Sequence, residues 1–134
     1  MKKSPVVFKA GTRPSSLALT QSRTALDRME GMLEGIVFEQ VPISSVGDTD
    51  RTTDLRESPA DFFTRELDDA LLRGDVDFVV HSAKDLPAPL REGIDWFWLP
   101  WREEPRDALI LAPGRTLADL PDNPVICVSS DRRE

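Results

Sequence analysis

The chain has few of the residue types that build metal centres, disulfides and membrane spans. Its 134 residues include one cysteine, Cys127, and one histidine, His81. A single cysteine excludes an internal disulfide framework, and a single histidine disfavours a zinc site. No apolar run approaches the roughly 18 residues of a membrane span, and the first residues lack the long apolar stretch of a signal peptide. We therefore predict a cytoplasmic protein that has no metal and no membrane partner.

The chain also lacks an excess of basic side chains. It has 24 acidic against 17 basic residues and a formal net charge of −7, and residues 48–77 hold ten of the acidic and four of the basic ones. Nucleic-acid binding requires clustered lysine and arginine, so we predict no nucleic-acid partner. The length and the 40% hydrophobic content fit an ordinary globular domain.

What the chain does contain is an alternation of strand and helix patterns. Apolar spacing of three and four residues predicts a helix over 16–32, and Phe63, Leu67, Ala70 and Leu71 predict a second helical face that ends near Gly74. A single helical turn is predicted at 116–120. The β-rich runs predict strands at 6–10, 36–43, 77–81, 94–99, 108–111 and 125–128. This order predicts an α/β fold, a mostly parallel sheet with helices on both faces.

The polar stretch from Ser44 to Asp61 has no apolar period, which predicts a surface loop or a mobile lid. Within it, residues 47–50 resemble the start of a calcium-binding loop. The closing glycine and glutamate of such a loop are missing, so we reject metal binding here.

Residues that attract anions follow three of the predicted strands, at the sheet edge where α/β proteins bind ligands. Arg13 stands before a helix start, which predicts a carboxylate or phosphate site, although a plain helix cap with an exposed arginine is equally compatible. Lys84 and Asp85 follow the buried strand at 77–81. There Lys84 would bind an anion while Asp85 stabilises a developing cation or relays a proton; the alternative is a surface ion pair. Arg132 and Arg133 follow the strand at 125–128, and their alternative is a solvated polar terminus.

Taken together, these segments resemble the porphobilinogen deaminase family, also called hydroxymethylbilane synthase. The similar segments occur in the family's order at 11–21, 63–72, 80–87, 104–108 and 129–133. The resemblance implies a transferase of tetrapyrrole and haem biosynthesis, which condenses four porphobilinogen units into a linear tetrapyrrole with loss of ammonia. It also implies lobes like those of periplasmic binding proteins, with the site in the cleft between them.

The resemblance further implies roles for individual residues. Asp85 matches the catalytic aspartate, which stabilises cationic pyrrole intermediates and serves proton transfer. The positions that match binding sites for acetate and propionate side chains of substrate and cofactor are Arg13, Ser15, Ser82, Lys84, Ser130, Arg132 and Arg133. The implied partners are therefore small pyrrole carboxylates.

Some features depart from the family pattern. The resemblance implies a dipyrromethane cofactor on a cysteine of a third domain; we expect that domain to be absent from this chain, and Cys127 does not match the attachment position. The segment Ser58 to Phe62 stands where the family has a glycine- and lysine-rich loop. We interpret 1–100 as a first binding-protein-like domain and 101–134 as a crossover and the start of an incomplete second domain, through which the chain could self-associate.

Two functions remain open from the sequence. In the first, the chain is the N-terminal portion of a hydroxymethylbilane synthase and is inactive on its own. In the second, it is a non-catalytic module that binds carboxylate ligands and is derived from that family.

Overall fold

The computed structural model describes residues 4–50, 52 and 58–128. The chain divides into two compact units, Met1–Phe97 and Trp98–Glu134. The interpretation of 1–100 and 101–134 as two family domains stays a prediction.

The first unit contains a three-stranded parallel sheet. Its strands are β1 (Val6–Thr12), β2 (Ile36–Pro42) and β3 (Phe78–Val79), in the order β2-β1-β3. β1 and β2 pair along their whole length, and β3 pairs with residues 10 and 11 of β1. The predicted strands at 6–10, 36–43 and 77–81 are therefore confirmed, although β3 is shorter than expected.

Three α-helices accompany the sheet: α1 (Ser16–Met32), α2 (Val46–Thr49) and α3 (Arg65–Arg73). α1 agrees with the helix predicted over 16–32, and Ser15 caps it by accepting a hydrogen bond from the Ala18 amide at 3.2 Å. α3 ends at Gly74, whose φ of 75° is the left-handed conformation that glycine adopts at helix ends. Within the parts of the chain that the structure describes, no helix is long and apolar enough to cross a membrane.

The helices cover opposite faces of the sheet. The connection β1-α1-β2 runs to one side of β1, and the connection through α3 returns to β3 on the other side. Because crossovers between parallel strands are right-handed as a rule, this strand order puts α1 and α3 on opposite faces. Side chains alternate between faces along a strand. On one face Ala10, Phe38 and the α1 residue Leu26 form the buried core. On the other face a Cβ at Gly11 would lie 3.2 Å from Val79, so the glycine permits close packing there.

The second unit differs from the prediction. Among the described residues 98–128 the one regular element is a 3₁₀ helix at Leu117–Asp119, which confirms the predicted turn. The strands predicted at 108–111 and 125–128 are wrong for this structure, and so is the strand predicted at 94–99, which crosses the boundary of the two units. Because a strand requires a neighbour for its amide and carbonyl groups, apolar composition alone does not form one. Ile110 and Val125 are 91% and 96% exposed, so no packing compensates.

Candidate functional site

The candidate site lies beyond the carboxyl ends of β1 and β3. β1 lies in the centre of the sheet, with β2 on one side and β3 on the other. The connection from β1 to β2 and the connection from β2 to β3 therefore run in opposite directions across the sheet, and a crevice forms between β1 and β3. Parallel α/β sheets bind ligands in the crevice at such a point. Arg13 follows β1 directly, and Asp85 lies six residues after the end of β3.

The guanidinium of Arg13 is held on three sides. Its Nε and Nη2 donate to Oδ1 of Asp48, at 3.0 and 2.6 Å. Its Cζ lies 4.1 Å from the centre of the Phe63 ring, within the range of a cation–π interaction. Its Nη1 lies 3.8 Å from Oδ2 of Asp85. Arg13 and Asp85, which follow β1 and β3 respectively, therefore lie close together at this sheet edge.

Asp48 comes from the stretch interpreted as a loop or lid, where the structure forms the short helix α2. Its Oδ2 accepts hydrogen bonds from the amide and hydroxyl of Ser45, at 3.1 and 2.7 Å, so it caps α2 while it binds Arg13. Burial raises the pKa of Asp48, but hydrogen bonds from Arg13 and Ser45 outweigh this and hold the pKa below its ordinary value. Asp48 is therefore ionised at neutral pH.

Ser82, Lys84 and Asp85 are positioned by a 3₁₀ helix at Ala83–Asp85, which Ser82 precedes. Lys84 Nζ lies 2.9 Å from Oδ1 of Asp85; the lysine side chain is 61% exposed and the aspartate side chain 17%. The hydroxyl of Ser82 donates to Oε1 of Gln21 on α1, at 3.1 Å. Asp85 thus lies between two cations, Arg13 and Lys84, while α1 contacts the segment that follows β3.

His81 introduces this segment and is largely buried. Within the described ranges its Nε2 has no hydrogen-bond partner. Burial lowers the pKa of His81 below its ordinary value; the Asp85 carboxylate opposes this shift and Arg13 adds to it. The lowered pKa favours the neutral imidazole at neutral pH.

The remaining predicted binding residues are placed as follows. Ser15 uses its hydroxyl oxygen as the cap of α1, so the structure shows a helix-capping role for it. Ser130, Arg132 and Arg133 lie outside the described residues. The binding and catalytic roles of all the predicted residues stay predictions.

Sequence reasoning missed two residues of this arrangement. Phe63 was assigned to a helical face, but α3 begins at Arg65, and the Phe63 ring packs against Arg13 instead. Asp48 was considered only for calcium binding. The pattern of Ser45 followed three residues later by Asp48 is a helix-capping signal that could have predicted α2. Its contact with Arg13, 35 residues away, has no local signal.

Comparison with known proteins identifies related sequences. Residues 8–134 match a family model described as porphobilinogen deaminase, dipyromethane cofactor binding domain. The chain is 42% identical over 127 residues to the porphobilinogen deaminase of Syntrophus aciditrophicus, covering 94% of this chain and 42% of that protein. It is 40% identical over 130 residues to the porphobilinogen deaminase of Streptococcus sanguinis, with 96% and 42% covered. The corresponding values for porphobilinogen deaminase 1 of Streptomyces coelicolor are 40% over 126 residues, 94% and 39%. The chain thus spans about two fifths of the length of these relatives.

Proposed function

Because this chain belongs to the porphobilinogen deaminase family, we propose that it supplies the pyrrole-binding and catalytic residues of the N-terminal part of a hydroxymethylbilane synthase. Such an enzyme condenses porphobilinogen units into a linear tetrapyrrole with loss of ammonia. The proposal includes the sequence-based expectation that the chain is inactive on its own. A cytoplasmic location and a lobe like those of periplasmic binding proteins also belong to the proposal, and the order β2-β1-β3 supports such a lobe.

The observation that carries the proposal is the approach of Arg13 to Asp85 beyond the ends of β1 and β3, with 3.8 Å between Nη1 and Oδ2. A pyrrole substrate with carboxylate side chains and an aminomethyl group needs two kinds of partner. Cations bind its carboxylates, and an anion stabilises the positive charge that develops on the ring as ammonia leaves. Arg13 and Asp85 have these two chemistries at one sheet edge.

In this proposal each group has a distinct task. Asp85 stabilises the developing cation and accepts or returns a proton. Lys84, which is largely exposed, contacts a carboxylate at the mouth of the site. The other residues proposed to bind carboxylates are Arg13, Ser15, Ser82, Ser130, Arg132 and Arg133.

The dipyrromethane cofactor of the family fits the chemistry of these residues, since a group with several carboxylates suits the guanidinium of Arg13 and the ammonium of Lys84. When bound, it would supply a pyrrole carbon as the nucleophile for condensation. Cys127 is exposed in the second unit, and we propose that it does not carry the cofactor. The residues of this chain would hold the carboxylates and keep Asp85 beside the reacting ring.

A second candidate is a carboxylate-binding module without turnover. It is favoured by the segment Ser58–Phe62, which has no lysine and ends with Asp61 and Phe62. Asp61 forms a two-bond ion pair with Arg65, at 2.8 and 2.9 Å, so this segment presents a neutralised carboxylate where the family has lysine. Ligand binding without condensation would support this candidate.

Calorimetric titration with porphobilinogen tests the binding step. We expect Arg13→Ala to weaken binding about tenfold or more, because a charge-assisted hydrogen bond to a carboxylate is lost. Arg23→Ala is the matched control, since Arg23 pairs with Asp27 and Glu30 on α1, and it should leave the affinity unchanged. Equal affinities for the native chain and Arg13→Ala would remove Arg13 from the site.

The same incubation tests catalysis. After reaction with porphobilinogen, an acid aldehyde reagent reveals a dipyrromethane covalently attached to the protein. We expect no attached chromophore on this chain. Coloured protein would overturn both the proposed inactivity of the chain alone and the exclusion of Cys127.

A further inference from the structure

Asp48 and Phe63 contact the Arg13 side chain, while Ser45 contacts Asp48 and Gly47 contacts Phe63; the sequence reasoning assigned none of these four residues to the site. Ser45, Gly47 and Asp48 belong to the α2 turn, and Phe63 precedes α3. Ser45 is 2% exposed, and the Asp48 side chain is 9% exposed. A side chain fixed by buried partners has few rotamers left to lose on binding.

Asp48 is fixed at both oxygens. Oδ2 accepts the hydrogen bonds of Ser45, and Oδ1 accepts those of Arg13 Nε and Nη2. Any rotation of the carboxylate would break the bonds from Ser45, so the cap of α2 restrains its position independently of Arg13. Asp48 therefore determines where the Nε edge of the guanidinium lies.

Phe63 and Gly47 fix the plane of the guanidinium. The Phe63 ring lies against its face, and Gly47 lies against the Phe63 ring, because a Cβ at position 47 would overlap Cδ1 and Cε1 of that ring. The Gly47 amide also donates to the Phe62 carbonyl, at 3.2 Å. The α2 turn thus positions the guanidinium of Arg13 twice: Asp48 binds its Nε edge, and Gly47 supports the Phe63 ring that packs against it.

One nitrogen of Arg13, Nη1, approaches Asp85 at a distance longer than a hydrogen bond. Nη1 lies 3.8 Å from Oδ2 of Asp85, whereas Nη2 lies 2.6 Å from Asp48. Building on the proposed function, we infer that Asp48 is a positioning residue. It holds Arg13 back from Asp85, so that Nη1 binds a substrate carboxylate while Oδ2 of Asp85, the oxygen that Lys84 does not contact, remains available to the reacting ring.

The charges explain why such a residue is needed. Two opposite charges in a partly buried site attract strongly, and a flexible arginine would close onto Asp85 as a bidentate ion pair. That pair would neutralise both groups needed by the substrate. A second carboxylate on the far edge of the guanidinium offers a competing partner that the substrate does not have to displace.

The first test observes Arg13 directly and needs no ligand. In the native chain we expect the Arg13 Nε–Hε signal in ¹⁵N–¹H NMR to be protected from solvent exchange and shifted upfield by the Phe63 ring. Asp48→Asn should lose both properties. Gly47→Ala, which keeps both charges but displaces the ring, should lose the upfield shift. Asp119→Asn is the matched control, because Asp119 caps the 3₁₀ helix at Leu117–Asp119 as Asp48 caps α2, and it should leave the Arg13 signal unchanged.

The second test measures porphobilinogen affinity in a double-mutant cycle. Asp48→Asn should weaken binding about tenfold in the native background and have no further effect in Arg13→Ala, because it acts through Arg13. Backbone amide signals of β1 report that each variant is folded.

The outcomes separate the two proposals. An Arg13 signal unaffected by Asp48→Asn overturns the positioning role, and so does tighter binding by that variant, which would mean that Asp48 competes with the ligand for Arg13. If the native chain binds no porphobilinogen, the proposed function fails, and the Arg13 signal still decides the positioning role.

Discussion

Two short helical turns of this chain obey the same local rule and differ in what they contact. In the first unit Ser45 and Asp48 cap α2, and in the second unit Thr116 and Asp119 cap the 3₁₀ helix at Leu117–Asp119. Asp48 also binds Arg13 beside the candidate site, whereas Asp119 belongs to a turn whose residues are nearly all exposed. A capping motif therefore predicts a turn, and its tertiary contacts decide whether the turn supports a site.

The same contrast holds for the two units as a whole. In the first, apolar side chains of the sheet and α1 cover one another, as Ala10, Leu26 and Phe38 show. In the described part of the second, 98–128, apolar side chains such as Ile110 and Val125 are exposed. Comparable apolar composition thus yields a packed core in one region and an irregular chain in the other.

The substitutions with the largest expected effect test whether the two units differ in side-chain packing. Leu26→Ala should lower the free energy of unfolding by about 2–5 kcal/mol, because it leaves a cavity between α1 and the sheet. Ile110→Ala should change it by less than about 0.5 kcal/mol, because that side chain has no packing to lose. Urea unfolding followed by far-ultraviolet circular dichroism measures both. A comparable loss for Ile110→Ala would show that the second unit is packed in solution.

A smaller effect distinguishes the two capping aspartates. At pH 7, Asp48→Asn should lower the free energy of unfolding by about 1.5 kcal/mol, since charge-assisted bonds to Arg13 are lost, and Asp119→Asn should not shift the urea midpoint measurably. The pKa of Asp48 is lowered in the folded chain. Its contribution is therefore complete above the unfolded pKa of about 3.9 and disappears as the pH falls from there through the folded pKa.

Urea midpoints of the native chain and Asp48→Asn between pH 7 and pH 2 check this dependence. The urea midpoints of the native chain and Asp48→Asn should become equal at the acid end of this range. A constant difference over the whole range would mean that the bond to Arg13 does not depend on ionised Asp48.

The smallest expected effect concerns association. The exposed apolar side chains of the second unit predict weak self-association, measurable by sedimentation at high concentration. The double substitution Ile110→Lys with Val125→Lys should reduce it. Leu17→Lys on α1, which replaces a side chain that is 64% exposed in the first unit, should not. A native chain that stays monomeric throughout would contradict this expectation.

The sequence predicted the elements whose signals are local. β1, α1 and β2 have clear periodicity and a capping serine, and the structure confirms them. The strands expected at 108–111 and 125–128 failed because a strand depends on a partner, and apolar composition does not specify one. The start of α3 was wrong because Phe63 has helical spacing but packs on Arg13.

The candidate site was predictable in part for the same reason. Parallel strands end at a common edge, so the proximity of Arg13 and Asp85 in the structure follows from the fold. The contact of Asp48 with Arg13 depends on the exact path of the chain after β2. No spacing within the sequence could indicate it.

The pairing of β1 with β2 has a consequence for the site. The two strands leave the sheet at the same level, since Thr12 pairs with Pro42 and the Ile43 amide donates to the Thr12 carbonyl at 2.8 Å. The pairing of the two strands therefore sets how far the turn after β2 extends beyond the sheet beside Arg13, the residue after β1. A slip of this register by one residue would turn the side chains of β2 to the other face and carry Asp48 away from Arg13. The hydrogen bonds between β1 and β2 thus set the dimensions of a site that lies beyond both strands.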